Sequence, residues 1–149
     1  MGAVTYPKAE VVEFVEQNLV PLQVLSDAPL AKDFNLQWTP TLIVLDTDGK
    51  EHHRAIGFLP PEELIPMLMV GIGKCYFDNQ QFDKAISTLE KLLAQYPKSD
   101  AAPEAVYLLG VARYKSTHDP KPLKQAYEQL ASQYAASEWT KRASPYRLL

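Results

Sequence analysis

A single cysteine, Cys75, stands in 149 residues, and one thiol excludes an intrachain disulfide. No apolar run approaches the roughly 20 residues that a membrane-spanning helix needs. The N-terminus lacks the basic-then-apolar order of a signal peptide, so the chain as given is expected in the cytoplasm, unless a leader precedes it. Positive charge is in short supply: the formal net charge is −3. Four basic residues face eight acidic ones up to position 60, and eleven face ten beyond it. Neither half has the basic excess expected of a nucleic-acid binder. A Gly-rich phosphate loop, a metalloprotease His-Glu pair and a nucleophile-elbow serine are all missing. No cofactor, metal or catalytic residue is therefore expected. What remains, 46% apolar and 22% charged, is ordinary globular composition.

The titratable residues that are present have plain structural explanations. Cys75, in Gly73-Lys74-Cys75-Tyr76, is expected on an inward helical face as a packed thiol. His52 and His53 occupy consecutive positions of an expected strand, which points them to opposite faces, so they cannot share a metal and are expected at the surface. His118 falls in a turn beside Asp119. Asp46 and Asp48 suit a hairpin turn, and Glu62 and Glu63 suit a helix N-terminus. Tyr76, Tyr96, Tyr107, Tyr114, Tyr127 and Tyr134 fall at helical spacing and are expected to pack a core.

The first half carries one distinctive run, Trp38-Thr39-Pro40-Thr41 entering the apolar block Leu42-Ile43-Val44-Leu45. Proline cannot donate to a strand ladder, so the strand mouth must bend, and a cis peptide is one way to do it. Asp46-Thr47-Asp48-Gly49 supplies a hairpin turn, Glu51 to Phe58 a return strand, and Pro60-Pro61-Glu62-Glu63 a helix opening. Upstream, Val20 to Leu25 reads as a strand and Ala28 to Phe34 as a helix. Over residues 4 to 70 this order resembles the C-terminal half of a thioredoxin-like fold. The resemblance implies that Trp38, Thr39 and Pro40 line a peptide-binding groove. It also implies that a first strand and a Cys-x-x-C would lie just before Met1, in a longer gene product or in an ancestor. Without that strand, the remaining ones are expected to close into a three-stranded mixed sheet, or two chains to pair exposed edges as a homodimer.

The second half changes period. Laid over itself at an offset of 38, the chain matches Tyr76 to Tyr114, Glu90 to Glu128, Leu92 to Leu130, Gln95 to Gln133, Tyr96 to Tyr134 and Ser99 to Ser137. With Gly73, Phe82, Ala85, Leu89 and Pro97 in place, the unit resembles a tetratricopeptide repeat. A second, looser copy is expected as helices 103–115 and 123–134, with a capping helix around Trp139 at 138–143. The resemblance implies a peptide groove with Lys74, Phe77 and Asp78 on the first repeat and Ala112 and Lys115 on the second.

The fold class is thus α/β plus all-α: a partial thioredoxin-like mixed sheet with helices, then tetratricopeptide-type hairpins. Residues 1–66 form the first domain and 67–149 the second, with no Gly/Ser linker between them. Apolar stripes on two faces make helix 62–78 a shared, sandwiched element, with Pro66 a potential kink, and the two parts are expected to unfold together. The expected function is a redox-inactive module that binds a peptide or protein partner. The alternative is the C-terminal portion of a thiol-disulfide oxidoreductase whose Cys-x-x-C lies upstream.

Overall fold

The structure is a computed structural model and describes residues 1–149. Its elements run α1 Ala9–Asn18, α2 Pro29–Asp33, β1 Thr41–Leu45, β2 Glu51–Ile56, α3 Pro61–Asp78, α4 Phe82–Gln95, α5 Ala102–Thr117, α6 Lys121–Gln133 and α7 Glu138–Ala143. A 3₁₀ turn at Ser144–Leu148 closes the chain. The order is a small α/β layer followed by all-α hairpins. No helix is long and apolar enough to cross a membrane.

The hairpin is held by its turn. The Asp46 carboxylate accepts the backbone N–H groups of Asp48 and Lys50 at 3.0 and 2.9 Å. Gly49 takes a φ of +80°, which side chains disfavour. β1 and β2 pair antiparallel from Thr41 opposite Ile56 to Val44 opposite His53. The register then shifts, so Leu45 faces Glu51 and His52 becomes the extra residue of a bulge.

These two strands are the whole sheet, which corrects the expected three-stranded mixed one. Val20 to Leu25 forms no strand: Val20, Leu22 and Leu25 are 96%, 74% and 71% exposed. Pro21 has no N–H to donate, and apart from a turn bond from the Ala28 N–H to the Leu25 carbonyl no backbone of the chain pairs with this segment.

α3 begins on Pro61, whose missing N–H falls where a helix needs none. It runs unbroken through Pro66, which forfeits only the bond to the exposed first turn. Every residue from Leu64 to Gly71 is buried, because the hairpin and α1 cover one side and α4 and α5 the other. Its apolar residues join Val11, Val44, Leu89, Leu92, Ala105 and Leu109 in one core. Each fully buried Leu or Val there contributes about 1.5–3 kcal/mol.

Two glycines set the spacing around α3. A Cβ at Gly71 would sit 2.6 Å from a Val44 methyl, and one at Gly73 would sit 2.9 Å from Leu89. The hairpin and α4 therefore press directly on the helix backbone.

The α4–α5 and α5–α6 pairs pack in succession, and the Tyr134 hydroxyl donates to the Pro97 carbonyl at 2.6 Å, tying the second helix pair to the first. A smaller core of Val106, Ala126, Leu130 and Ala143 lies under the cap. Ser137 accepts the Trp139 N–H to start α7, and Trp139 and Tyr146 both pack on the Tyr107 ring.

Gly71→Ala is expected to lower stability by about 1–2 kcal/mol, since overpacking against Val44 outweighs the helix propensity gained. Gly2→Ala, where nothing lies within 4 Å, is expected to change it by less than about 0.5 kcal/mol. Urea midpoints of the two variants check this.

Candidate functional site

The sequence-selected residues separate into two places. At the mouth of β1 the Thr39–Pro40 peptide is cis. The Thr41 hydroxyl donates to the Trp38 carbonyl at 2.6 Å and fixes the bend. Trp38 is 67% exposed. Together with Thr39, Ser26, Leu36 and Gln37 it lines a cavity of about 260 Å³. An exposed indole beside a rigid bend is a surface suited to stacking on or covering a ligand.

The second place is the junction of the hairpin with α3, where the bulge decides the geometry. His53 faces α3 in the ordinary strand register, with its Cβ near Gly71. His52, as the bulged residue, is turned to reach the end of the same helix. The expected opposite-facing, surface pair is thus corrected: both imidazoles contact α3. His52 Nδ1 meets the Asp78 carboxylate at 2.6 Å and Nε2 meets Asp46 at 2.8 Å, and its side chain has no exposed surface. A neutral imidazole has one N–H, so satisfying two carboxylates requires the imidazolium. Desolvation pulls the His52 pKa down, but the Asp46 and Asp78 hydrogen bonds outweigh it and the pKa is raised. Asp46 is lowered in return, chiefly by the His52 hydrogen bond.

His53 behaves oppositely. Burial, and then the Lys74 ammonium 3.0 Å from its Nδ1, hold its pKa low. Neutral Nδ1 accepts from Lys74, whose charge is balanced by Glu104 of α5. On β2 the Arg54 guanidinium grips Glu51 and donates to the Phe34 carbonyl at 2.9 Å, fastening the α2 end to the sheet.

Lys74 and Asp78 therefore lie together, but already engaged by the hairpin rather than lining a free groove. Phe77 packs edge-on against Phe82, with ring centroids 5.5 Å apart. Ala112 is fully buried, which corrects its assignment to a groove: the α5 face that carries it is packed. Lys115 is exposed in the last turn of α5.

Cys75 is half-buried, and its pKa is raised by desolvation and by the Asp46 and Asp78 carboxylates. At neutral pH it is a thiol, a weak nucleophile. No three His, Cys, Asp or Glu side chains converge on a cation position. The sequence reading placed His52 and His53 at the surface and did not single out Arg54 or Glu104. The only signal for the histidines was the adjacency of His-His to an Asp-rich turn, which does not reveal a bulge.

The His52 contact has a defined pH sign. Its folded pKa is raised, so its stabilisation is complete below the unfolded value of about 6.5 and is lost as pH rises through the folded value. His53, with a lowered pKa, acts in the reverse sense. In urea titrations across pH 5 to 9, the stability difference between the wild type and His52→Gln is expected to be largest at acid pH and to shrink toward alkaline pH. A difference flat in pH would refute the imidazolium.

A search of curated proteins returned no match to the chain. Family models do match it: residues 4–70 fit the thioredoxin-like domain, and residues 68–99 fit the tetratricopeptide repeat. The two matches overlap inside α3, the helix that both the hairpin and the repeat helices cover. The chain carries a thioredoxin-like domain followed by a tetratricopeptide repeat.

Proposed function

We propose that this chain is a protein-interaction module that binds a peptide or protein partner without thiol–disulfide chemistry of its own. The observation that carries the reading is the contrast between its two candidate chemistries. The sole thiol, Cys75, is half-buried with a raised pKa, whereas Trp38 stands largely exposed beside the Thr39–Pro40 bend over an open cavity. The tetratricopeptide match supports the same class of role. Residues 1–66 and 67–149 act as two parts of one unit sharing α3. The chain acts in the cytoplasm as given. The uncharged outer edge of β1 leaves pairing between two copies open to it.

A second reading is favoured by the thioredoxin-like match together with the outer edge of β1, which no backbone of the chain covers. Here the chain is the C-terminal portion of a thiol-disulfide oxidoreductase. In-frame codons for a strand and Cys-x-x-C directly upstream of Met1 would favour this reading over the first.

Two measurements test the interaction module. In a dithiothreitol-driven insulin reduction assay, the chain is expected to add nothing to the rate of dithiothreitol alone, and measurable turnover refutes the redox-inactive reading. Fluorescein-labelled, carboxymethylated insulin B chain, used as an extended peptide probe, is expected to bind saturably in anisotropy titrations. Trp38→Ala should weaken that binding about tenfold, which is ~1.4 kcal/mol.

A further inference from the structure

The hairpin turn is fastened to α3 by one charged contact. The register shift after Val44 marks off Leu45 to His52 from the regular ladder, and Leu45 and residues 47–50 are exposed. From this segment to α3 runs a single hydrogen-bonded link, His52 Nδ1 to the Asp78 carboxylate at 2.6 Å. The other ring nitrogen is engaged by Asp46, 2.8 Å away in the turn itself.

Loss of the ring proton does not weaken both contacts equally. A neutral imidazole keeps one N–H, so one nitrogen then turns a lone pair on a carboxylate. Asp46 cannot retreat, because its other oxygen holds the Asp48 and Lys50 N–H groups at 3.0 and 2.9 Å. Asp78 can: its side chain is 41% exposed, and water solvates it once it leaves the ring. The contact that breaks is the one between the turn and the helix.

We propose that Leu45–His52 is a proton-held strap, closed on the carboxyl end of α3 while His52 is charged and released when the ring is neutral, with Val44 against Gly71 as the pivot. Release uncovers the last turn of α3, including Cys75, which lies one turn before Asp78 and feels the Asp46 charge. The strap is fully closed below the ordinary histidine value of about 6.5 and opens as pH climbs through the raised folded value. The other groups at this seam do not titrate in that window. His53, held low by burial and then by Lys74, is already neutral, and the Cys75 thiol, raised by desolvation, keeps its proton. Glu51 stays ionised beside Arg54, and Lys74 is paired with Glu104 of α5.

The test follows alkylation of Cys75 by iodoacetamide in the full chain, with the rate divided by the thiolate fraction read from ultraviolet absorbance. Between about pH 6 and about pH 9 this corrected rate is expected to rise at least about tenfold, while far-ultraviolet circular dichroism stays unchanged. His52→Ala removes the link and should give the fast rate at both ends of the range. Asp78→Asn should stay slow at both, because its amide can donate to the neutral ring nitrogen and the contact no longer needs the proton. A corrected wild-type rate flat in pH, a rise that Asp78→Asn leaves intact, or a slow His52→Ala would overturn the strap. A rise accompanied by loss of the dichroism signal would overturn it too, by showing that the whole fold opens.

Discussion

The contact on which the rest of the molecule depends is the seat of the β-hairpin on α3, where Val44 occupies the space that a side chain at Gly71 would fill. A two-stranded sheet has too little apolar surface to stand alone in water. Here its inward residues, Leu42, Val44 and Ala55, are absorbed into the core built on Leu64 to Val70. The same helix needs the hairpin, since it is apolar nearly all round and would otherwise expose a second greasy face beyond the one α4 and α5 cover. Neither part has a boundary at which it could be cut without uncovering the core of the other.

Charge reinforces this seat at its edge. Apolar contact fixes how close the hairpin lies, but not its position along the helix axis. The directional contacts supply that: His52 bridges the turn to Asp78 at the helix end, and His53 meets Lys74 one turn earlier. Lys74 in turn joins Glu104, so the hairpin's placement is communicated to α5. The two histidines are shifted in opposite directions, His52 upward by its carboxylate partners and His53 downward by burial and then by the Lys74 ammonium. That division satisfies both rings with no unpaired buried polar atom.

How far the sequence reveals this arrangement depends on the range of the forces involved. The local signals read well: Asp46 to Gly49 made its turn, Pro61 opened α3, the offset of 38 located the repeat helices, and the short helix carrying Trp139 formed at 138–143. The sandwiching of α3 was also readable, because two apolar stripes on one helix have few other solutions. Val20 to Leu25 misled because apolar, β-branched composition measures fitness for a sheet, not the presence of a neighbouring strand to pair with. His52 misled for a subtler reason. Strict alternation assumes a regular ladder, and one extra residue opposite Leu45 turned an expected surface position into an enclosed imidazole. Ala112 misled because analogy supplied a groove position while the packing of α5 buried it.

The bulge also bears on where a partner can be received. Edge strands in soluble proteins are guarded by charge, proline or twist, and β2 carries such guards in the Glu51–Arg54 pair and the bulge itself. These guards repel indiscriminate pairing without filling the hydrogen-bonding positions of Arg54 and Ile56. Because the strand is pinned to α3 by Val44, His52 and His53, an incoming segment would meet donors and acceptors that are already ordered, and the entropic cost of ordering would fall on the partner alone. A rigid edge whose charges are already paired within the chain therefore resists indiscriminate pairing while staying preorganised. A free hairpin of the same sequence, without α3 behind it, would have neither.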